Sequence, residues 1–109
     1  MLSQSDIRLV ERKWGYFLQF TENENTTVKL LHVKKGQHIS YQYHHNRSEQ
    51  WYLIKGRIMV TRGTHSEFLL PGQTITIAKL EKHKLEALDE SLVLEISKGY
   101  FDEKDIVRL

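Results

Sequence analysis

The stretch GQHISYQYHHNRSEQWYLIKG, residues 36–56, decides how this chain reads. It opens and closes on glycine, and between them it gathers Gln42, His44 and Glu49 within eight residues. In an extended strand, residues two apart share a face. Gln42 and His44 therefore point the same way, with His38 and Ser40, while Ile39, Tyr41 and Tyr43 point the other way. Glu49 falls on the parity of Trp51 and Leu53, two residues of core type. A tight connection would bring Glu49 back beside Gln42 and His44. A polar face that simply meets water satisfies the same alternation, so periodicity alone does not separate a metal site from a solvated loop.

Outward from this stretch, short alternating or β-branched segments follow at about ten-residue spacing. They cover 15–20, 26–33, 37–43, 50–55, 57–62, 66–70, 73–78, 83–88 and 91–97. Turn signals separate them at 23–25, Lys35-Gly36, Gly56, Arg62-Gly63, Pro71-Gly72 and Asp89-Glu90. A short helix is expected only near 6–12. Gly56 predicts a tight hairpin between its flanking strands, and Pro71-Gly72 predicts a type II turn. This pattern predicts an all-β sandwich or barrel, one domain over 1–109.

Composition narrows the function classes. Hydrophobic residues make up 39% and aromatics 10% of 109 residues, as in a folded domain rather than a disordered one. The net charge is +2 with both signs interleaved and no basic run, which argues against nucleic acid as a partner. Cysteine is absent, so a metal would need nitrogen and oxygen donors. No apolar stretch approaches the roughly 20 residues that span a bilayer, and the polar N-terminus does not read as a signal peptide. No membrane association and a cytoplasmic location are the expectations. No Gly-rich phosphate loop or acidic pair for magnesium suggests nucleotide activation.

Gly36, Gln42, His44, Glu49 and Gly56 keep a spacing that a second segment complements with Gly72, Ala78, Leu80, His83 and Ala87. The two spacings resemble the signature motifs of cupins, small double-stranded β-helix (jelly-roll) barrels. That resemblance implies one divalent metal ion held by Gln42, His44, Glu49 and His83. Imidazole, carboxylate and amide donors together suit zinc, manganese, iron or nickel.

The strings WGYF (14–17), SYQYHHNRSEQW (40–51) and YFDEKDIVRL (100–109), with Lys29, resemble the mannose-6-phosphate isomerase domain that follows a sugar-nucleotide transferase in bifunctional bacterial enzymes. The resemblance implies a metal-dependent aldose–ketose isomerase acting on a phosphorylated hexose, mannose-6-phosphate to fructose-6-phosphate. Such a reaction needs a base at a carbon-bound proton, for which His45, Tyr43, Tyr52 and a non-ligating Glu49 are candidates. Lys29 and Arg47 match basic positions of the pattern and are candidate contacts for the sugar phosphate. Two other readings stand beside this one. The first is a cupin that binds a sugar or sugar phosphate without turnover; the second is a cupin of other metal chemistry, such as a dioxygenase or epimerase.

The chain departs from the family pattern at Asn46 and Gln50, where histidines are common, and at Ala78, Leu80 and Ala87. Leu80 replaces a glycine, which predicts a differently shaped loop before His83. His32, His38 and His65 read as solvated or structural, and Trp14 and Trp51 as core or interface anchors. The outward row Ile39, Tyr41 and Tyr43 predicts a homodimer through that sheet.

Overall fold

The computed structural model describes residues 7–102 and 104–109. Among them are eleven strands and no helix: β1 Arg8–Arg12, β2 Gly15–Gln19, β3 Thr26–Val33, β4 His38–Tyr43, β5 Arg47–Lys55, β6 Ile58–Arg62, β7 His65–Leu69, β8 Thr74–Ile77, β9 His83–Ala87, β10 Ser91–Gly99 and β11 Val107–Arg108. Strands β3-β10-β5-β8 form one sheet, β11-β4-β9-β6-β7 a second, and β1-β2 a separate hairpin. The non-consecutive order is that of a jelly roll, in which the chain alternates between two facing sheets.

Alternation places the core between the sheets. Trp51, Leu53, Ile75, Ile77, Val93 and Val33 come from the four-stranded sheet, and Ile58, Val60, Leu69, Leu85 and Ala87 from the five-stranded one. Pro71-Gly72 makes the expected turn. Gly72 has φ +90°, and Gln73 N–H donates to the Leu70 carbonyl at 3.0 Å, which ends β7 and starts β8 in the other sheet.

Three local expectations are corrected. Residues 8–12 are a strand paired with 15–19, from Arg8↔Gln19 to Arg12↔Gly15; Asp6 lies outside the described residues. Pairing satisfies backbone groups that a one-turn helix would leave open. Gly56 is not the tip of a hairpin, because β5 and β6 lie in different sheets. Its φ is +99°, and an added Cβ would run into Ser91 and lie 2.5 Å from the Glu90 carbonyl oxygen. Glycine is required there by a close approach at a barrel corner. The Ile39-Tyr41-Tyr43 row is also broken. A bulge between Ile39 and Gln42 shifts the β4–β9 register, so Ile39 packs on the core while Gln42 is buried as well. The proposed dimer face thus loses Ile39.

Candidate metal centre

Strands from both sheets bring the donor residues together. Gln42, one residue before the end of β4, registers opposite His83, the first residue of β9; Glu49 lies in β5; His44 leads out of β4. All four are buried, His83 completely. Glu49 Oε2 lies 3.6 Å from His44 Nε2, and Glu49 Oε1 lies 3.6 Å from His83 Nε2. One ligand atom from each of His44, Glu49 and His83 lies within 4.8 Å of the other two. Gln42 Oε1 accepts a hydrogen bond from Ser40 Oγ at 3.3 Å.

Backbone carbonyls set the imidazole tautomers. His44 Nδ1 lies 2.7 Å from the Asp105 carbonyl oxygen, and His83 Nδ1 lies 2.8 Å from that of Glu81. A carbonyl oxygen only accepts, so each Nδ1 carries the proton and each neutral ring turns a bare Nε2 inward. Burial lowers the pKa of both rings below the ordinary 6.5, against the opposing effect of those carbonyl bonds, and favours the neutral form. Two nitrogen lone pairs and a carboxylate therefore converge with no proton of their own between them. His83 Nε2 is buried and has no hydrogen-bond partner among the described residues. The donor set fits a divalent metal, with the orienting hydrogen bonds usual for ligating histidines.

Nearby segments hold this geometry. The Asp105 carboxylate accepts from His45 N and Asn46 N, both at 2.9 Å, which fixes the turn after His44. These bonds, the one to His45 foremost, lower the Asp105 pKa. Asn46 thus contributes its backbone, and its exposed side chain takes no part. Leu80 N–H donates to the His44 carbonyl at 2.7 Å. Leu80 itself has φ +65°, a left-handed conformation that a leucine adopts only at a cost. The bond to His44 holds this turn before His83.

Arg47 is buried against the donors rather than placed at the barrel rim. Its Nε donates to Glu49 Oε2 at 3.2 Å, its Nη1 to the Asp102 carbonyl at 3.2 Å, and its Nη2 lies 3.5 Å from His44 Nε2. The Arg47 guanidinium and Lys29 Nζ each sit 4.4 Å from the centre of the Phe101 ring. Opposite Lys29 in register is Glu95, a buried carboxylate that accepts from Trp51 Nε1 at 3.1 Å. Burial, then the neighbouring Glu49, raises the Glu95 pKa. The sequence reading passed over Glu95, although a charged residue at the inward parity of the apolar run 91–97 was its signal.

Of the four candidate bases, Glu49 lies within the donor group and the other three point away from it. His45 is exposed and pairs with Asp105 at 3.5 Å, Tyr43 packs its ring on His45, and Tyr52 lies on the outer face of β5 against Phe20. His32, His38 and His65 are exposed. Trp51 is core, its ring centre 5.7 Å from that of His83 in an edge-on arrangement, whereas Trp14 on the β1–β2 hairpin is 74% exposed.

A two-sheet jelly roll with this internal donor group is a cupin. The chain belongs to the family described as Mannose-6-phosphate isomerase C-terminal, whose model matches residues 3–109. It is 34% identical over 104 residues to Mannose-1-phosphate guanylyltransferase 2 of Escherichia coli O157:H7, covering 93% of this chain and 22% of that protein. To Xanthan biosynthesis protein XanB of Xanthomonas campestris pv. campestris (strain B100) it is 35% identical over the same length, with the same coverage. The chain thus spans about a fifth of the length of these relatives. Among solved structures, oxalate decarboxylase from Bacillus subtilis aligns with a TM-score of 0.70 at 21% identity, over 99% of this chain and 31% of that one. KdgF from Halomonas sp. aligns at 0.67 and 17%, over 78% of each chain. These likenesses establish the fold.

The relatives correct the expected reaction. They are named as mannose-1-phosphate guanylyltransferases or for polysaccharide biosynthesis, and not as mannose-6-phosphate isomerases. The isomerase reading is set aside. Among the described residues, no helix is long and apolar enough to cross a membrane.

Proposed function

We propose that this chain is a metal-binding cupin module that recognises a phosphorylated sugar within a protein handling mannose phosphates. His44, Glu49 and His83 hold one divalent ion, with the Gln42 amide oxygen as a fourth donor. Zinc, manganese, iron and nickel all suit this mixed set. The observation that carries the reading is the convergence of two bare imidazole nitrogens and a carboxylate, with His83 Nε2 buried and without a hydrogen-bond partner among the described residues. When bound, the ion supplies a Lewis-acidic centre for sugar or phosphate oxygens. Lys29 and Arg47 bring positive charge to the same interior and suit a phosphate monoester. The names of the relatives favour mannose 1-phosphate as the first ligand to try.

Elemental analysis after loading with each metal, beside a His44→Ala control, tests the centre. Calorimetric titration of the loaded protein with mannose 1-phosphate and mannose 6-phosphate tests the ligand. About one metal per chain, lost in the control, and saturable binding of one sugar phosphate are expected. Metal retention by His44→Ala, or no binding of either sugar phosphate, overturns the reading.

A further inference from the structure

We infer that Arg47 competes with the metal for the same donor atoms, so that metal loading expels its guanidinium from the donor group and makes it a receptor for a phosphate monoester. The inference rests on the reading of His44, Glu49 and His83 as metal donors. Arg47 offers Nε to Glu49 Oε2 at 3.2 Å and Nη2 to His44 Nε2 at 3.5 Å. The bare His44 nitrogen has one lone pair, which cannot accept from Arg47 and bind a metal at once. Glu49 has lone pairs to spare, but a dication beside it repels the guanidinium in an interior of low dielectric.

What remains for a displaced Arg47 is already in place. Its Nη1 donates to the Asp102 carbonyl at 3.2 Å, and its guanidinium lies 4.4 Å from the Phe101 ring centre. Lys29 Nζ lies at the same distance from that ring. A guanidinium released from Glu49 but still held at Asp102 therefore has a second cation around one aromatic side chain. A sugar phosphate monoester, a dianion with three acceptor oxygens, matches that pair of charges. Before metal binds, Arg47 is committed to Glu49 and His44; afterwards it is available to the anion.

Zinc titration against a chromophoric chelator, for wild type, Arg47→Met and Arg47→Lys, tests the competition. Arg47→Met is expected to bind zinc at least tenfold tighter than wild type, although the metal-free variant melts at a lower temperature because Glu49 loses its cation. Calorimetry with mannose 1-phosphate tests the coupling. Wild type is expected to bind it at least tenfold tighter with zinc than without, and Arg47→Met is expected to lose that gain. Should Arg47→Met fail to fold, Arg47→Lys keeps the charge without the fork and is expected to show the same zinc trend to a smaller degree. Zinc binding by Arg47→Met but not by wild type supports the competition. Equal or weaker zinc binding by the Arg47 variants overturns it and leaves the metal reading intact, as does an undiminished zinc-dependent gain for the phosphate in Arg47→Met. Zinc binding by none of the three folded proteins overturns both.

Discussion

The Asp105 carbonyl accepts the His44 Nδ1 proton at 2.7 Å although 61 residues separate the two. The same Asp105 ties down the next two backbone amides through its carboxylate. One residue near the end of β-barrel closure therefore orients a donor and fixes the loop that carries it.

Asp105→Ala removes both carboxylate bonds from the His45–Asn46 turn. A stability loss of about 1–3 kcal/mol is expected in urea unfolding, with metal affinity weakened about tenfold or more through the loosened His44 ring. Asp105→Asn keeps one acceptor and should fall between. Unchanged metal affinity in Asp105→Ala would show that the loop holds His44 without it.

The two buried histidines give the metal-free protein a defined pH response. Their folded pKa values lie below the ordinary 6.5, so the unfolded chain takes up protons first as pH falls. Their contribution is complete above about pH 6.5 and is lost progressively as pH drops through the lowered folded values. Unfolding midpoints measured from pH 8 down to 5 should decline below 6.5. His44→Ala and His83→Ala should each flatten that decline.

Leu80→Gly removes a left-handed leucine at φ +65°. Relief of about 1–2 kcal/mol of backbone strain is partly offset by the greater unfolded-state freedom of glycine, about 0.5–1 kcal/mol. A small rise in melting temperature with unaltered metal binding is expected from calorimetric scans. A fall would show that the exposed Leu80 side chain contributes contacts outweighing the strain.

Gly99→Ala should separate the segment holding Arg47 and His44 from its seat. Gly99 has φ +110°, and an added Cβ would lie 2.6 Å from the Asn46 carbonyl oxygen. A loss of about 2–3 kcal/mol is expected, as for an incompatible positive-φ glycine, together with weaker metal binding. Wild-type melting and metal affinity in this variant would contradict the seating role.

Gln50 is completely buried, and neither end of its amide has a hydrogen-bond partner among the described residues. Gln50→Leu should therefore stabilise the fold by about 1–2 kcal/mol, the cost of leaving a polar group unsatisfied. Destabilisation in urea would mean that the amide is satisfied in solution, for example by water.

Much of this was legible because strands write their period into the chain. The bounds of β3 at 26–33 followed from alternation and flanking turns, whereas the donor set was implied only by the resemblance of two motifs to those of cupins. What escaped was long-range. Gly56 has the local look of a hairpin, but its sheet is chosen by the approach of Glu90 and Ser91. The bulge after Ile39 is a register slip against β9, which no local pattern records. Asp105 orients His44 with a backbone carbonyl, an atom that every residue carries and that leaves no compositional trace. Arg47 was expected to serve a ligand, and its burial against Glu49 became visible only once β5 and the segment after β10 were in place.

The position of Asp105 in the chain also sets an order of assembly. A growing polypeptide synthesised only as far as β10 already contains Gln42, His44, Glu49 and His83, but lacks the carbonyl that fixes the His44 proton on Nδ1. Until then the ring is free to present either nitrogen, and the loop at His45–Asn46 has no carboxylate to hold it. The two imidazoles and the Glu49 carboxylate therefore reach their final geometry only after residue 105 has been made and has docked against His44.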